Sequence, residues 1–342
     1  MKIQQALEHL LGKDDLNREQ MSGVMRQVMT GEATPAQIGG FLIALRMKGE
    51  TVDEVAAAAG VMRSLADAVS LGDQAAIDIV GTGGDSTSTF NISTCSAIVA
   101  ASAGARVAKH GNRSVSSKSG AADLLEEAGV NIDLSPEQVA LCVNQIGLGF
   151  MFAPRHHSAM KHAIGPRREM AVRTIFNLLG PLTNPAGAKS QVLGVYDAQW
   201  VKPMADVLNK LGSDHVMVVH GHDGMDEISI SGPTTVAELK AGEVSEYTIT
   251  PAQFGLPVAP LTEITVNSAA GSLAMINAVL DNTTCAARDI VLLNAGAALC
   301  VAGVANDLAT GVELARHTVE AGAARRKLQE LVQLSQSFVG NS

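Results

Sequence analysis

The sequence predicts an α/β fold with a small N-terminal helical domain and a larger α/β domain built on a mainly parallel central sheet. Residues 1 to about 70 carry helical apolar patterns and no strand pattern. From Ile77 onward, short apolar strands alternate with helices, which is typical of a parallel sheet covered on both faces. The 342-residue length exceeds the roughly 250–300 residues that one hydrophobic core usually serves. Two domains are therefore expected.

The N-terminal helices are indicated by their apolar faces and their starts. Leu7, Leu10 and Leu11 share one helical face. Thr34 followed by Pro35 is a favourable helix start, because a capping residue precedes a proline in the first helical position. Further helical patterns cover residues 21–28, 35–47 and 52–65.

The alternating part of the chain contains six predicted strands. Ser135-Pro136 marks the start of one of the helices between them, and helical patterns recur at residues 160–179, 268–280 and 287–302. The predicted strands are Ile77–Val80, Arg106–Lys109, Gly149–Phe152, Gln191–Val195, His215–His220 and Glu227–Ile230.

Composition excludes several classes of protein. Hydrophobic residues make up 46% and charged residues 17% of the chain, which is typical of a globular domain. A net charge of −9 and an aromatic content of 3% argue against broad nucleic-acid binding. No apolar run reaches the length of a membrane span, and the N-terminal residues show no long apolar core of the kind that a signal peptide has. The four cysteines show no disulfide or CxxC pattern, so we expect reduced, buried thiols and a cytoplasmic location.

A glycine-rich turn follows the first predicted strand. Gly81–Asp85, which we call the glycine loop, comes directly after the strand, and Asn91 to Thr94 begin the next helix. This order can place a phosphate on the free N–H groups of a helix N-terminus. It is neither a Walker A loop nor a dinucleotide fingerprint, because the Gly-Lys-Ser/Thr sequence and the third glycine are missing. An ordinary glycine turn with a helix cap would carry the same pattern.

A second polar segment, Lys109–Gly120, is called the basic loop. It contains three cations, a histidine, an asparagine, four serines and two glycines, and apolar segments flank it on both sides. Backbone N–H groups, hydroxyls and cations in such a segment can surround an anion. A solvated basic loop is the alternative for a charge run taken alone, and the neighbouring glycine loop favours a phosphate site.

The two loops together resemble the anthranilate phosphoribosyltransferase family. The resemblance covers about residues 3 to 335, and its motifs occur in the family's order. They are Gly81–Asp85, Asn91–Thr94, Lys109–Ser119, Arg167, Arg173–Pro185 and Asp223–Glu227.

The resemblance implies a reaction and a domain arrangement. The phosphoribosyl group of 5-phosphoribosyl 1-pyrophosphate would pass to the amine of anthranilate, releasing pyrophosphate, in the second step of tryptophan biosynthesis from chorismate. Residues of about 160–185 would join residues 1–70 in the helical domain. Residues 71–342 would bind the phosphoribosyl donor, and the active site would lie in the cleft between the domains.

The resemblance also implies the residues of each subsite. Anthranilate would contact Gly81, Asn112 and Arg167, with Arg168 read as surface charge and Arg173 as part of the domain junction. The loop Gly180–Pro185 would flank the acceptor channel. The donor would contact Gly81, Gly84, Asp85, Thr89, Asn91, Ile92, Ser93, Thr94, Lys109, His110, Gly111, Asn112, Arg113, Ser114, Val115, Ser116, Ser117 and Ala121.

Magnesium is the implied cofactor, with two ions per active site. Ser93, Asp226 and Glu227 would hold it, and adjacent carboxylates suit this hard cation. Taken alone, Asp226-Glu227 could be a solvated acidic turn. The sequence shows no obvious catalytic dyad. His110 and His157 could orient substrate or assist proton removal, although a single histidine is more often structural.

Two other functions stay open at this point. A pyrimidine-nucleoside phosphorylase shares the Lys-His-Gly start of the basic loop, but its resemblance to this chain weakens after Gly111. A non-catalytic homologue that binds nucleic acid should show a basic face and altered acidic residues, whereas Asp226-Glu227 are intact here. The resemblance further implies a homodimer formed through the helical domain, with no nucleic-acid or membrane partner.

Overall fold

The structure, a computed structural model, describes residues 1–85, 87–113 and 119–339. The predicted helix starts at Thr34 and Ser135 are confirmed: the Thr34 hydroxyl accepts a hydrogen bond from the Gln37 N–H, and the Ser135 hydroxyl accepts one from the Gln138 N–H. The described helices are α1 Ile3–Leu11, α2 Arg18–Thr30, α3 Pro35–Lys48, α4 Val52–Ser64, α5 Ile92–Ser102, α6 Ala121–Glu127, α7 Pro136–Ile146, α8 Ala153–His156, α9 Lys161–Met170, α10 Ile175–Leu179, α11 Val201–Lys210, α12 Ala269–Leu280, α13 Ala286–Val301, α14 Leu308–Glu320 and α15 Ala323–Gln336.

One sheet organises the rest of the described chain, in the order β3-β2-β1-β4-β5-β6-β7. The pairs among β1 to β5 are parallel, and β6 and β7 extend the sheet as an antiparallel hairpin. The predicted α/β class with a mainly parallel sheet is thereby confirmed. The strands are β1 Ile77–Gly81, β2 Val107–Gly111, β3 Leu148–Phe152, β4 Ser190–Gly194, β5 His215–Gly221, β6 Thr234–Lys240 and β7 Glu243–Ile249.

The predicted strand Glu227–Ile230 is wrong. Side chains occupy the backbone groups that a strand would need for pairing: the Ile228 N–H donates to Asn294 Oδ1 at 3.0 Å, and the Ser229 N–H donates to Thr234 Oγ1 at 2.9 Å. The Asn294 amide in turn donates to the Ile228 carbonyl at 2.9 Å. This segment is therefore an ordered turn, and the strands that follow it, β6 and β7, were not predicted.

The two faces of the sheet belong to different cores. One face packs against α5, α12, α13, α14 and α15. The other face contributes Leu193 and Val218 to a core that continues through α11 into the N-terminal helices. Ala163 of α9 and Phe176 of α10 lie in that same core, so the segment after residue 160 packs with helices from the start of the chain.

Two further sequence expectations concern thiols and membranes. Cys95, Cys142 and Cys300 are buried free thiols, and Cys285 is a partly buried one. Among the helices of the described ranges, none combines the length and apolar character that crossing a bilayer requires.

Candidate active site

Four parallel strands end in glycine at the same edge of the sheet. Gly81, Gly111, Gly194 and Gly221 are the last residues of β1, β2, β4 and β5. The carboxyl edge of such a sheet is where open α/β folds bind ligands. The glycine loop and the basic loop begin in the last residues of β1 and β2, and the turn with Asp226 and Glu227 follows β5.

Asp226 is packed directly against the glycine loop. Its Oδ2 accepts a hydrogen bond from the Gly83 N–H at 2.7 Å. A Cβ atom on Gly81 would lie 2.3 Å from the same oxygen, and a Cβ on Gly194 would lie 1.5 Å from the Asp226 backbone oxygen. Only glycine at these two strand ends leaves room for Asp226 to approach.

Glu227 links the start of α5 to the basic loop. Its Oε1 accepts a hydrogen bond from the Ser93 N–H at 3.2 Å, and the Ser93 hydroxyl accepts one from Lys109 Nζ, also at 3.2 Å. Lys109 donates a further hydrogen bond to the Ile79 carbonyl of β1. The predicted metal ligands Ser93 and Glu227, both partly buried, and the buried donor-binding candidate Lys109 therefore form one cluster.

The turn before Asp226 is held by Asp223. This carboxylate accepts hydrogen bonds from the hydroxyls of Ser229 and Ser231 and from the Met225 N–H, the last at 3.1 Å. The Gly221 N–H donates to the Met225 carbonyl at 2.9 Å. These contacts fix the backbone that presents the two acidic side chains.

The ionised forms of Asp226 and Glu227 are unfavourable in these positions. Burial, followed by the charge of Asp85, raises the pKa of Asp226 to about 7. Burial, followed by the charge of Asp226, raises the pKa of Glu227 to about 8, while burial lowers the pKa of Lys109. Buried carboxylates with so few cationic partners fit a hard divalent cation such as Mg²⁺, which prefers carboxylate and hydroxyl oxygens.

Asn91 connects the start of α5 to Ser119 of the basic loop and to Ser272 of α12. The Asn91 amide donates to the Ser119 carbonyl at 3.2 Å, and its oxygen accepts from the hydroxyls of Ser119 and Ser272 at 2.8 Å. Ile92 lies in the core, and the buried Thr94 hydroxyl has no partner within the described residues. Asn91 therefore positions the start of α5.

A second set of buried hydrogen bonds connects β1, β2 and the loop Gly180–Pro185. Asp78 accepts hydrogen bonds from the His110 N–H at 3.1 Å and from the Asn184 amide at 2.7 Å. The Asn184 amide also reaches the Ala108 carbonyl at 2.9 Å. Burial raises the pKa of Asp78. This side chain joins the two strands to the loop at Gly180–Pro185.

The two candidate histidines lie side by side. The rings of His110 and His157 meet edge to face with their centroids 5.0 Å apart. Burial lowers the pKa of His110 far below its usual value and that of His157 to about 4. Both Nε2 atoms are buried and have no hydrogen-bond partner within the described residues. At neutral pH the pair offers neutral imidazoles, not cations.

The remaining predicted binding residues form contacts outside the cluster of Ser93, Lys109 and Glu227. Arg113 pairs with Glu126 and Asp123 of α6, and its guanidinium lies 5.4 Å from the centroid of the Phe152 ring. The guanidinium of Arg167 lies 5.0 Å from the centroid of the Phe176 ring. Asn112 is exposed, Thr89 forms an antiparallel bridge with Thr265, and a Cβ on Gly111 would lie 3.2 Å from that of Ala121.

Known proteins with similar sequence and structure place the chain in a family. Residues 4–66 match the glycosyl transferase family helical bundle domain, and residues 73–325 match the α/β domain of the same family. Anthranilate phosphoribosyltransferase from Thioalkalivibrio sulfidiphilus is 62% identical over 98% of this chain and 100% of its own length. The chain belongs to the anthranilate phosphoribosyltransferase family.

Solved structures of the family agree in fold. The Thermus thermophilus anthranilate phosphoribosyltransferase has a TM-score of 0.92 and 41% identity, covering 97% of this chain and 99% of that one. The Saccharomyces cerevisiae enzyme in complex with PRPP and Mg has a TM-score of 0.89 and 26% identity, covering 98% of each chain. The family predicted from the two loops is thereby confirmed.

Four residues that the family resemblance assigns to the donor lie outside the described residues: Ser114, Val115, Ser116 and Ser117. Two residues with clear roles in the described site, Asp78 and Gly194, were also not singled out from the sequence. A charged residue inside the apolar strand Ile77–Val80 is a signal that could have identified Asp78. Nothing local marks Gly194, because its importance comes from the approach of Asp226, which is distant in sequence.

Proposed function

We propose that the carboxyl edge of the sheet carries out the reaction of this family. That reaction transfers the phosphoribosyl group of 5-phosphoribosyl 1-pyrophosphate to the amine of anthranilate, giving N-(5-phosphoribosyl)anthranilate and pyrophosphate. The chain is a transferase of the glycosyltransferase class and belongs to tryptophan biosynthesis. The observation that carries the assignment of the site is the meeting of the glycine loop, Ser93, Lys109, Asp226 and Glu227.

The donor would bind between the glycine loop and the basic loop. The start of α5 and the backbone of the glycine loop offer N–H groups, and Lys109 offers a buried cation. Ser93, Asp226 and Glu227 would hold two Mg²⁺ ions. Bound magnesium would neutralise the charge that develops on the leaving pyrophosphate. Preorganised N–H groups and Lys109 would add electrostatic stabilisation to the same leaving group.

The acceptor amine needs orientation more than a strong base. The amine of anthranilate is aromatic and already neutral at pH 7, so positioning it against the anomeric carbon supplies much of the rate enhancement. The lowered pKa values of His110 and His157 leave neutral rings that can accept a proton or a hydrogen bond. The proposal assigns them to substrate orientation, with proton removal as a secondary role.

Anthranilate would bind at Arg167, Asn112 and Gly81. Arg167 is partly buried against Phe176, and no carboxylate within residues 1–85, 87–113 and 119–339 forms an ion pair with it. Burial lowers its pKa, but a guanidinium remains charged and can bind a carboxylate through two hydrogen bonds. Such a cation is available to the carboxylate of anthranilate.

Substitution of Arg167 tests the acceptor assignment. Arg167→Ala should raise the KM for anthranilate by about tenfold or more, the loss typical of a charged hydrogen bond, and change the KM for the donor much less. Arg168→Ala is the matched control, since Arg168 is the exposed neighbour on the same helix. An unchanged anthranilate KM in Arg167→Ala would remove this residue from the acceptor site.

The reaction is tested directly by the loss of anthranilate fluorescence. Purified protein, anthranilate, the phosphoribosyl donor and Mg²⁺ should give a loss that requires all four components. Folded protein that binds the donor without consuming anthranilate would contradict the proposal. Assays for nucleoside phosphorolysis and nucleic-acid binding would then separate the two alternatives.

We also propose a cytoplasmic homodimer formed through the helical domain. Leu11 of α1 and Met47 of α3 are large apolar residues with 77% and 81% of their surface exposed. The proposed dimer would cover both side chains, because exposed apolar patches mark protein–protein contacts. Light scattering should give twice the 35.4 kDa chain mass, and Leu11→Glu with Met47→Glu should shift the protein towards the monomer. A monomeric wild-type protein would contradict this arrangement.

A further inference from the structure

Arg173 connects three separate parts of the molecule. It lies between α9 and α10, and its guanidinium donates a hydrogen bond to the Gly84 carbonyl in the glycine loop. The same guanidinium lies over the Tyr196 ring, 4.2 Å from its centroid. Its own carbonyl accepts a hydrogen bond from Arg46 Nη1 of α3 at 2.5 Å. Arg173 therefore connects the helical domain to the glycine loop: its main chain binds Arg46, and its side chain binds Gly84.

The position of Tyr196 is itself determined by the glycine loop. The Tyr196 N–H donates to the Thr82 hydroxyl at 3.0 Å, and the Thr82 N–H donates to the Gly194 carbonyl at 2.9 Å. The aromatic platform beneath Arg173 and the start of the glycine loop therefore form one unit. A guanidinium can stack on this ring and still donate in its own plane, which a lysine ammonium cannot reproduce.

The contact with Gly84 fixes the direction of one peptide group. Gly83 and Gly84 have φ values of 67° and 75°, and no cis peptide bond occurs in the described chain. In a trans peptide the C=O and the following N–H point in opposite directions. A Gly84 carbonyl held by Arg173 therefore turns the Asp85 N–H to the other side of the loop. Within the described residues that N–H donates no hydrogen bond.

We propose that Arg173 is a positioning residue for the phosphoribosyl donor. It holds the Gly84–Asp85 peptide so that the Asp85 N–H faces the donor's phosphates. Through Arg46, it makes this orientation depend on the position of the helical domain. Asp226 holds the opposite part of the loop through the Gly83 N–H, so the loop is fixed from two sides. The inference rests on the proposed donor site.

The main test is the effect of Arg173→Ala on donor binding. The donor KM should rise by about tenfold, the scale of one charge-assisted contact, while the anthranilate KM and the melting temperature change little. Arg63→Ala is the matched control. Arg63 Nε donates to the Leu182 carbonyl, another arginine contact from the helical domain to a backbone oxygen, but one that lies away from the glycine loop. It should leave the donor KM within about twofold of wild type.

A second pair of variants tests the same position without removing the arginine. Tyr196→Leu removes the ring beneath the guanidinium and should raise the donor KM in the same direction as Arg173→Ala. Tyr196→Phe keeps the ring and should leave the donor KM near the wild-type value. This pair decides the question if Arg173→Ala does not fold.

Chemical rescue distinguishes positioning from a general structural role. A cavity of about 560 Å³ lies beside Arg173, between Arg46, Tyr196 and Trp200, and gives free guanidinium a route to the vacated position. Guanidinium at low millimolar concentration should lower the donor KM of Arg173→Ala but not that of Arg63→Ala. Methylammonium should not rescue, because it lacks the planar donors.

The outcomes separate this inference from the proposed function. A wild-type protein that fails to consume anthranilate would overturn the proposed function and this inference with it. An active wild-type protein whose folded Arg173→Ala variant keeps a normal donor KM would overturn only the role of Arg173. Equal losses in both KM values, together with a lower melting temperature, would also overturn it.

Discussion

Strand β5 has a cluster of ionisable side chains at each end, and the two clusters differ in how their carboxylates are satisfied. At its beginning, Glu238 accepts hydrogen bonds from His215 at 2.7 Å and from the Tyr247 hydroxyl at 2.8 Å. Beyond its other end, about 20 Å away along a seven-residue strand, Asp226 and Glu227 are buried beside each other. Hydrogen bonds from His215 and then Tyr247 help lower the pKa of Glu238, whereas burial raises the pKa of both acidic residues at the other end.

The comparison shows that a cluster of ligand-type side chains is not by itself a metal site. His215, Glu238 and Cys300 bring their ligand atoms within 4.8 Å of one another. Both oxygens of Glu238 already accept hydrogen bonds, however, so this cluster is stable without a cation. At the other end, the buried Asp226 accepts a hydrogen bond from the Gly83 N–H and the partly buried Glu227 accepts one from the Ser93 N–H, with Lys109 as a nearby cation. An unsatisfied cluster is the one that a cation would stabilise.

Removing the charges of Asp226 and Glu227 is expected to have the largest effect on kcat. Asp226→Asn with Glu227→Gln should reduce kcat by about 100-fold or more, the scale for losing electrostatic stabilisation of a leaving group, and should shift the magnesium requirement. The melting temperature should stay equal or rise, because two buried carboxylates with raised pKa values are neutralised. Kinetics over a magnesium series and thermal unfolding measure both effects. Wild-type magnesium dependence in the double variant would reject these residues as ligands.

A smaller but still large effect is expected from displacing Asp226 while keeping its charge. Gly194→Ala would place a Cβ 1.5 Å from the Asp226 backbone oxygen, so the turn must move. We expect kcat to fall by about tenfold or more and the free energy of unfolding to fall by about 1–3 kcal/mol, as for other overpacked sites. Enzyme assays and denaturant unfolding provide the measurements.

Gly60→Ala in α4 is the control for this variant. No atom lies within 4 Å of the Cβ that it would add, so activity should be unchanged and helix propensity should stabilise it by up to about 1 kcal/mol. If Gly194→Ala behaved like Gly60→Ala, the close packing of Asp226 would not matter for catalysis.

The smallest effect is expected at the satisfied end of β5. Glu238→Gln should leave kcat unchanged and lower the free energy of unfolding at pH 7 by about 1–2 kcal/mol, the contribution of hydrogen bonds to a charged group. Denaturant unfolding across a pH series measures it, with the exposed Glu246→Gln on β7 as the control. A loss of activity in Glu238→Gln would break the contrast between the two clusters.

The difference in unfolding free energy between wild type and Glu238→Gln should depend on pH in a defined direction. The pKa of Glu238 is lowered in the folded protein, so its contribution is fully present above the unfolded carboxyl value of about 4.3. It is lost as the pH falls through the lower folded value. The gap in stability between wild type and Glu238→Gln should therefore be constant near neutral pH and close below about pH 4. A gap that widened in acid would contradict the lowered pKa.

The sequence by itself determined the local elements and the residue types of the site. Apolar periodicity and caps such as Thr34 and Ser135 depend on neighbouring residues, so the N-terminal helices, α7, α12, α13 and five of the strands could be predicted. The two loops and the Asp226-Glu227 pair could be recognised for the same reason. Ordered motifs also sufficed to indicate the family.

The tertiary structure alone decided how these parts meet. The contacts of Asp226 with Gly194 and of Arg173 with Gly84 join residues far apart in the chain, and no local pattern encodes them. The failed strand at Glu227–Ile230 has the same origin, because Asn294 and Thr234 take up the backbone groups that pairing would need. Distant contacts of this kind also determine that Glu238 has hydrogen-bond partners for both of its oxygens, whereas Asp226 and Glu227 have too few. This difference separates the structural cluster at the start of β5 from the candidate active site.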